Sequence, residues 1–227
     1  MNQFGSRIVE FLTEATTWSG PGSIPVRLWE HIWISTIPVV IAALVTIPPA
    51  AVLAHHRKGT LIASSLVNIG RAVPSFGILA VSVVLLIGWL GLGAVLAFPA
   101  LIALAAPPMF TNTVTGVVTV PPQTVEAARG MGMTEREILR RVEIPLALPV
   151  ITEGIRVAFV QVIATATLAA LVAGPGLGRF IVDGFAKQRG EGELFVGAVL
   201  VALLAVLAEA GFGVVERAVT PGGLRRR

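Results

Sequence analysis

The sequence predicts an all-α membrane protein of about five transmembrane helices, with six as the alternative count, and a long polar handle between two of them. Of 227 residues, 55% are hydrophobic and only 13% charged, whereas a soluble domain carries roughly 25% charged residues. The mean hydropathy is +0.84. The apolar runs are continuous, so each must span as a helix that satisfies its own backbone; a barrel strand would alternate in polarity. Between two such runs, Thr124 to Pro145 holds four arginines and four glutamates. That stretch is too polar for hydrocarbon and too rich in helix formers for a slack connector.

Residues 1–27 form an N-terminal segment before the first span. Phe4, Ile8, Phe11, Leu12, Ala15 and Trp18 recur at helical spacing with Arg7, Glu10 and Glu14 between them, which fits either an amphipathic helix on the membrane surface or a frayed tail. The segment lacks the basic start and apolar core of a cleaved signal and is expected to stay. The run from Ser19 to Pro25 breaks any helix. The membrane domain covers 28–217. Its first span, about Leu28 to Ala54, opens with Trp29 and Trp33 as interfacial anchors and contains Pro38, Pro48 and Pro49, each removing a backbone donor and predicting kinks packed against neighbours. His55 and His56 then begin a polar loop. Neighbours on a helix point apart and no third ligand is near, so a metal site is not expected there.

The second helix, about Thr60 to Trp89, is polar through Arg71 and continuously apolar only after Pro74. The third, about Leu92 to Thr115, carries Pro99, Pro107 and Pro108. The fourth, about Leu148 to Val172, follows Pro145 and Pro149. Gly174 to Gly178 opens a loop through Arg179, Asp183, Lys187, Arg189, Glu191 and Glu193. The fifth span is about Leu194 to Arg217, and 218–227 is a basic tail.

Five spans place the two ends on opposite sides. One side collects twelve of the seventeen basic residues, among them Arg57, Arg71, Arg129, Arg136, Arg140, Arg141 and Arg225 to Arg227. The positive-inside rule makes that side cytoplasmic, so the expected arrangement is multi-pass, with the N-terminus outside and both polar handle and C-terminus inside. The formal charge of +4 comes without a basic stripe or interleaved aromatics, which argues against nucleic acid as a partner. There are no cysteines, hence no disulfide or thiolate site. No phosphate-binding Gly-x-x-x-x-Gly-Lys-Ser/Thr occurs, and the glycines from Gly174 lack a βαβ setting, so they read as a tight turn. With no nucleophile elbow, paired soluble carboxylates or metal cluster, no catalytic residue, metal site or bound cofactor is expected, and the chain does not read as an enzyme.

The handle, residues 121–146, has readable mechanics. Thr124 is expected to cap a short helix with Glu126 in its first turn, where a negative charge meets the helix dipole. Ala127 and Ala128 keep one face small. Gly130 and Gly132 permit a turn, and Thr134 to Glu137 fits a capping box opening a second helix, which is expected to end near Ile144 and Pro145. The product is either a hairpin suited to a partner's groove or an ordinary charged connector.

Glu126-Ala127-Ala128, Gly132 and Val142-x-Ile144-Pro145 resemble the EAA motif of permease subunits of bacterial ABC importers, with Val and Ile where Ile and Leu are commoner. Arg71 to Phe76, Ile144 to Ile151, Gly154-Ile155-Arg156, Ala164 to Ala170 and Gly174 to Gly178 are similar to the osmoprotectant permeases that move glycine betaine, carnitine, choline or proline. The resemblance covers about 28–224. It implies the type I ABC importer permease fold and a pathway built from two permease subunits. It also implies ATPase subunits that use ATP, an extracytoplasmic solute-binding protein, and a bacterial inner membrane. Glu126, Ala127, Ala128 and Gly132 would make the coupling contact, with Ile144 and Pro145 ending it. A permease for methionine or another small solute shares the motif; an ATP-independent channel or secondary transporter is the rival from another class, disfavoured by the scarcity of relay carboxylates and the lack of a clear inverted repeat.

Two charges lie within spans. At 1.5 Å per residue, Arg156 and Glu209 each sit roughly 10 to 12 Å from the cytoplasmic edge, a depth at which a charge must be paired or wet. Matched depth suggests an Arg156–Glu209 contact; the alternative pairs Arg156 with Glu153 and leaves Glu209 facing water. The chain has no tyrosine for an aromatic cage around a quaternary ammonium, so selectivity is expected in the binding protein.

Overall fold

The structure, a computed structural model, describes residues 2–57, 65, 75–91 and 93–219. Expectations placed on the polar start of the second helix, Arg71 included, and on the tail from 220 onward fall outside those residues. Every regular element among the described residues is helical. Four stretches are long and apolar enough to cross a bilayer: Ile24–His55, Ala94–Val118, Glu135–Val172 and Glu191–Glu216; a shorter apolar helix, Phe76–Leu90, is the described part of the second expected span.

Helix α1 (Asn2–Thr13) and the single turn α2 (Ala15–Trp18) precede α3 (Ile24–His55). The N-terminal segment is packed against the body. Arg7 pairs with Glu191, Phe4 stacks edge-on against Phe195 with centroids 5.4 Å apart, and Phe11 meets Phe180 at 5.7 Å. The outer edge of α1, including Val9 and Leu12, stays exposed. In α3 the prolines Pro38, Pro48 and Pro49 lie inside the helix. The face carrying Ile34, Ala42, Ala50 and Ala54 is buried, while Leu44 and Val45 face outward, as a spanning helix surrounded by lipid requires.

Helix α4 (Ser75–Leu90) leads through a 3-10 turn (Ala94–Ala97) into α5 (Phe98–Val118). Then come α6 (Pro122–Gly130), α7 (Glu135–Ile138), a π turn (Leu139–Glu143), α8 (Ile144–Thr165), a 3-10 segment (Ala166–Val172), α9 (Gly178–Ala186) and α10 (Glu191–Val219). The main core joins α3, α5 and α8 through Ile34, Leu101, Ala105, Met109, Ala158 and Val162. Small residues let α5 and α8 approach closely, as membrane helices do when packing replaces the hydrophobic drive. A Cβ on Gly154 would come 2.7 Å from Asn112 Cβ and 3.0 Å from the Pro108 carbonyl, and one on Gly116 would come 3.1 Å from Ala147 Cβ. A second cluster ties Ile24, Ile163, Leu177, Phe180 and Val196 together under α1. A third, of Ala51, Ala54, Val117, Ala147 and Ile151, lies at the opposite end beside the handle.

Three local expectations need correction. The first handle helix begins at Pro122 after Pro121, so Thr124 lies inside it rather than capping it, and Glu126 falls beyond its first turn. Proline supplies a helix start because its missing N–H is an orphan there anyway. The second handle helix does not end at Ile144 and Pro145: helical structure continues from Glu135 to Val172. The π turn explains this, since the Ile144 N–H already donates five residues back, to the Leu139 carbonyl, and a widened turn accommodates the proline that follows. Finally, the segment after Gly174 is not a loop through Arg179 and Asp183 but the helix α9, with Arg179 and Asp183 paired one turn apart at 2.6 Å.

Candidate functional site

The handle folds as a hairpin of α6 and α7. Gly132 makes the reversal at φ +85°, a conformation natural to glycine, with its N–H donating to the Arg129 carbonyl at 3.0 Å. The capping box forms: the Glu137 N–H donates to Thr134 Oγ1 at 3.4 Å, and the Thr134 N–H donates to Glu137 Oε2 at 3.0 Å. Arg129 then closes the hairpin with a fork of hydrogen bonds, Nε to Glu135 Oε1 at 2.8 Å and Nη2 to Glu135 Oε2 at 3.0 Å. These bonds favour the charged guanidinium and raise its pKa further above the usual value.

The motif residues divide by face. Ala128 is buried against the hairpin, whereas Glu126, Ala127, Arg129 and Gly130 are exposed; Met131 is 76% exposed at the tip. The outward surface therefore presents an acid, a small residue and an apolar tip, with a tight glycine turn behind them. Ile144 and Pro145 stand where the hairpin passes into α8, on the far side of the π turn.

One participant was missed from the sequence. His55, the last residue of α3, is not part of a polar loop. Its ring is buried, with Nδ1 2.5 Å from Glu143 Oε2 and Nε2 3.2 Å from Glu135 Oε2. His56 points outward and is exposed. The partners of His55 lie 80 and 88 residues away along the chain, beyond the reach of any local pattern. Among the described residues no group of side chains could hold a metal ion.

Arg156 contacts Glu153 on its own helix. From α10, Glu209 Oε1 lies 3.4 Å and Glu216 Oε2 3.6 Å from Arg156 Nη1. Both partners weighed for Arg156 thus meet the same guanidinium, although the Glu209 side chain remains 51% exposed. At the end of the molecule away from the hairpin, Glu30 accepts from the Gly176 N–H at 3.0 Å. The buried His31 places Nε2 2.9 Å from the Ile163 carbonyl. The glycine run is thereby fastened onto α3, and α3 in turn onto α8.

Comparison with known proteins agrees with this architecture. Residues 46–221 match the family described as "Binding-protein-dependent transport system inner membrane component". The choline transport system permease protein OpuBB of Bacillus subtilis (strain 168) is 38% identical, with 96% of each chain covered. The glycine betaine/carnitine/choline transport system permease protein OpuCB of the same strain is 39% identical over 90% of this chain and 92% of the relative. A chain of the MetNI methionine ABC transporter in an inward-facing conformation shares the fold, with a TM-score of 0.74 and 24% identity over 86% of this chain and 95% of that one. With its helical spans and charged hairpin, this chain belongs to the family of binding-protein-dependent transport system inner membrane components.

Proposed function

We propose that this chain is the transmembrane permease subunit of an ATP-binding-cassette importer for a compatible solute of the choline, glycine betaine and carnitine group. The observation that carries the reading is its end-to-end similarity, at 38%, to a choline permease, on a chain whose exposed hairpin presents Glu126, Ala127 and Gly132. Methionine is the less supported solute, because the methionine transporter chain is similar in fold at only 24% identity.

In this reading the hairpin faces the cytoplasm and docks into a separate ATPase subunit. Two permease subunits, alike or different, enclose the pathway, and a binding protein delivers the solute at the other face, on the side of residues 1–27. The chain binds no nucleotide; ATP is used by the partner. Glu126 and Ala127 make the docking surface beside the Gly132 turn, with Ala128 packed beneath them rather than reaching the partner, and Ile144 and Pro145 carry the hairpin into α8. The test is ATP-dependent uptake of labelled choline, glycine betaine, carnitine, proline and methionine into vesicles holding the purified complex. Uptake of the first three is expected. In Gly132→Trp, membrane insertion is kept, since a side chain there enters open space and meets only the strain of φ +85°, of about 1–2 kcal/mol, while ATP hydrolysis uncouples from uptake. Normal uptake in that variant would overturn the assignment of the hairpin.

A further inference from the structure

We infer that His55 is the positioning residue that clamps the hairpin to the membrane spans, so that α6, the end of α3 and the start of α8 move as one body. The inference rests on the hairpin being the element that couples to the ATPase.

Glu143 lies in the π turn with 5% of its surface exposed. A carboxylate removed from water is costly unless it is paired, and His55 Nδ1 stands 2.5 Å from it, with both side chains buried. The other ring nitrogen faces Glu135, 3.2 Å away, and Glu135 receives the fork of Arg129 from α6. A continuous polar chain therefore runs from the docking helix through Glu135 and His55 to Glu143. It joins α6, α7, the end of α3 and the π turn that opens α8, beside an apolar cluster of Ala51, Ala54, Val117, Ala147 and Ile151 that includes no residue of α6 or α7. The polar chain is thus what ties the docking helix to that cluster.

The outer link, Arg129 to Glu135, is half-exposed and contributes little by itself. The buried link differs. Replacing both partners of a buried polar pair by apolar residues of similar volume is often nearly neutral, whereas removing one partner leaves the other buried and unsatisfied, which is strongly destabilising. What the pair adds is therefore orientation rather than stability, and orientation is what a docking element must transmit.

The double variant His55→Leu with Glu143→Leu separates the two roles, since it fills the site and removes both polar partners of the buried link together. In vesicles holding the whole complex and its binding protein, it should hydrolyse ATP as the wild type does. Labelled choline, glycine betaine and carnitine moved per ATP should fall roughly fivefold or more, the lower end of an allosteric coupling. An unchanged ratio overturns the inference. A second measurement needs no such variant. In this cysteine-free chain, spin labels on Val52→Cys in α3 and Arg136→Cys in α7, both exposed positions, should keep one separation with and without ATP. A separation that changes on ATP binding overturns the inference. A wild type that takes up none of the three solutes refutes the proposed function instead, and leaves the label distance to decide the clamp.

Discussion

Gly154→Ala tests whether α5 and α8 are held at the spacing observed. The added Cβ would stand 2.7 Å from Asn112 Cβ and 3.0 Å from the Pro108 carbonyl oxygen, against a favourable carbon–carbon separation of about 3.5–4.0 Å. Neither neighbour is the free end of a flexible chain, so the helices must part by most of an ångström. Overpacking of this kind costs roughly 1–3 kcal/mol, and replacing a helical glycine by alanine returns up to about 1 kcal/mol. A net loss of about 1–2 kcal/mol is expected, close to tenfold in the folding equilibrium, measurable as a lower midpoint for denaturant-induced unfolding in detergent. The decisive comparison is made in the Asn112→Gly background, where the nearest obstructing atom is gone. There the same alanine should cost much less. An equal cost in both backgrounds, or a Gly154→Ala protein as stable as its parent, would refute the close approach.

Two further outcomes test the charged regions. Thr134→Ala removes the capping box and should weaken the start of α7 by about 1 kcal/mol, so that amide protection at Glu137 falls about fivefold; unchanged exchange would mean that packing alone holds the turn. Arg156→Leu leaves Glu153, Glu209 and Glu216 facing one another and should lower stability by roughly 1–2 kcal/mol, discounted because Glu209 is half-exposed. Adding Glu153→Gln and Glu209→Gln should restore it, and failure of that rescue would show that the three acids do not share the guanidinium.

What the sequence made legible was local or measured along a helix axis. The capping box at Thr134 was readable because its partners are three residues apart. The Arg156–Glu209 proximity could be suspected because a spanning helix acts as a ruler and the two residues lie at one depth. The course of the chain through Pro145 was not readable: a proline ordinarily ends a helix, and the π turn that absorbs it depends on how Leu139 to Glu143 pack beside α3. Helix α9 was hidden by its glycine-rich entry, where Gly178 is required by the closeness of the Thr167 backbone and signals a turn when read alone. His55 with Glu143 was invisible for a third reason, since nothing in either neighbourhood points to the other.

The unbroken helical course from Glu135 to Val172, 38 residues in all, has a mechanical consequence. At 1.5 Å per residue it is a rod of roughly 55–60 Å, with the hairpin at its base and the Gly174–Gly178 run just beyond its tip. A rod of that length turns angle into distance: a tilt of about 5° at the base sweeps the tip through about 5 Å. Because α3 is joined to the base of this rod through His55 and Glu143 and to the run beyond its tip through Glu30 and Gly176, a modest rocking at one face carries α3 with it and arrives at the opposite face as a displacement of several ångströms.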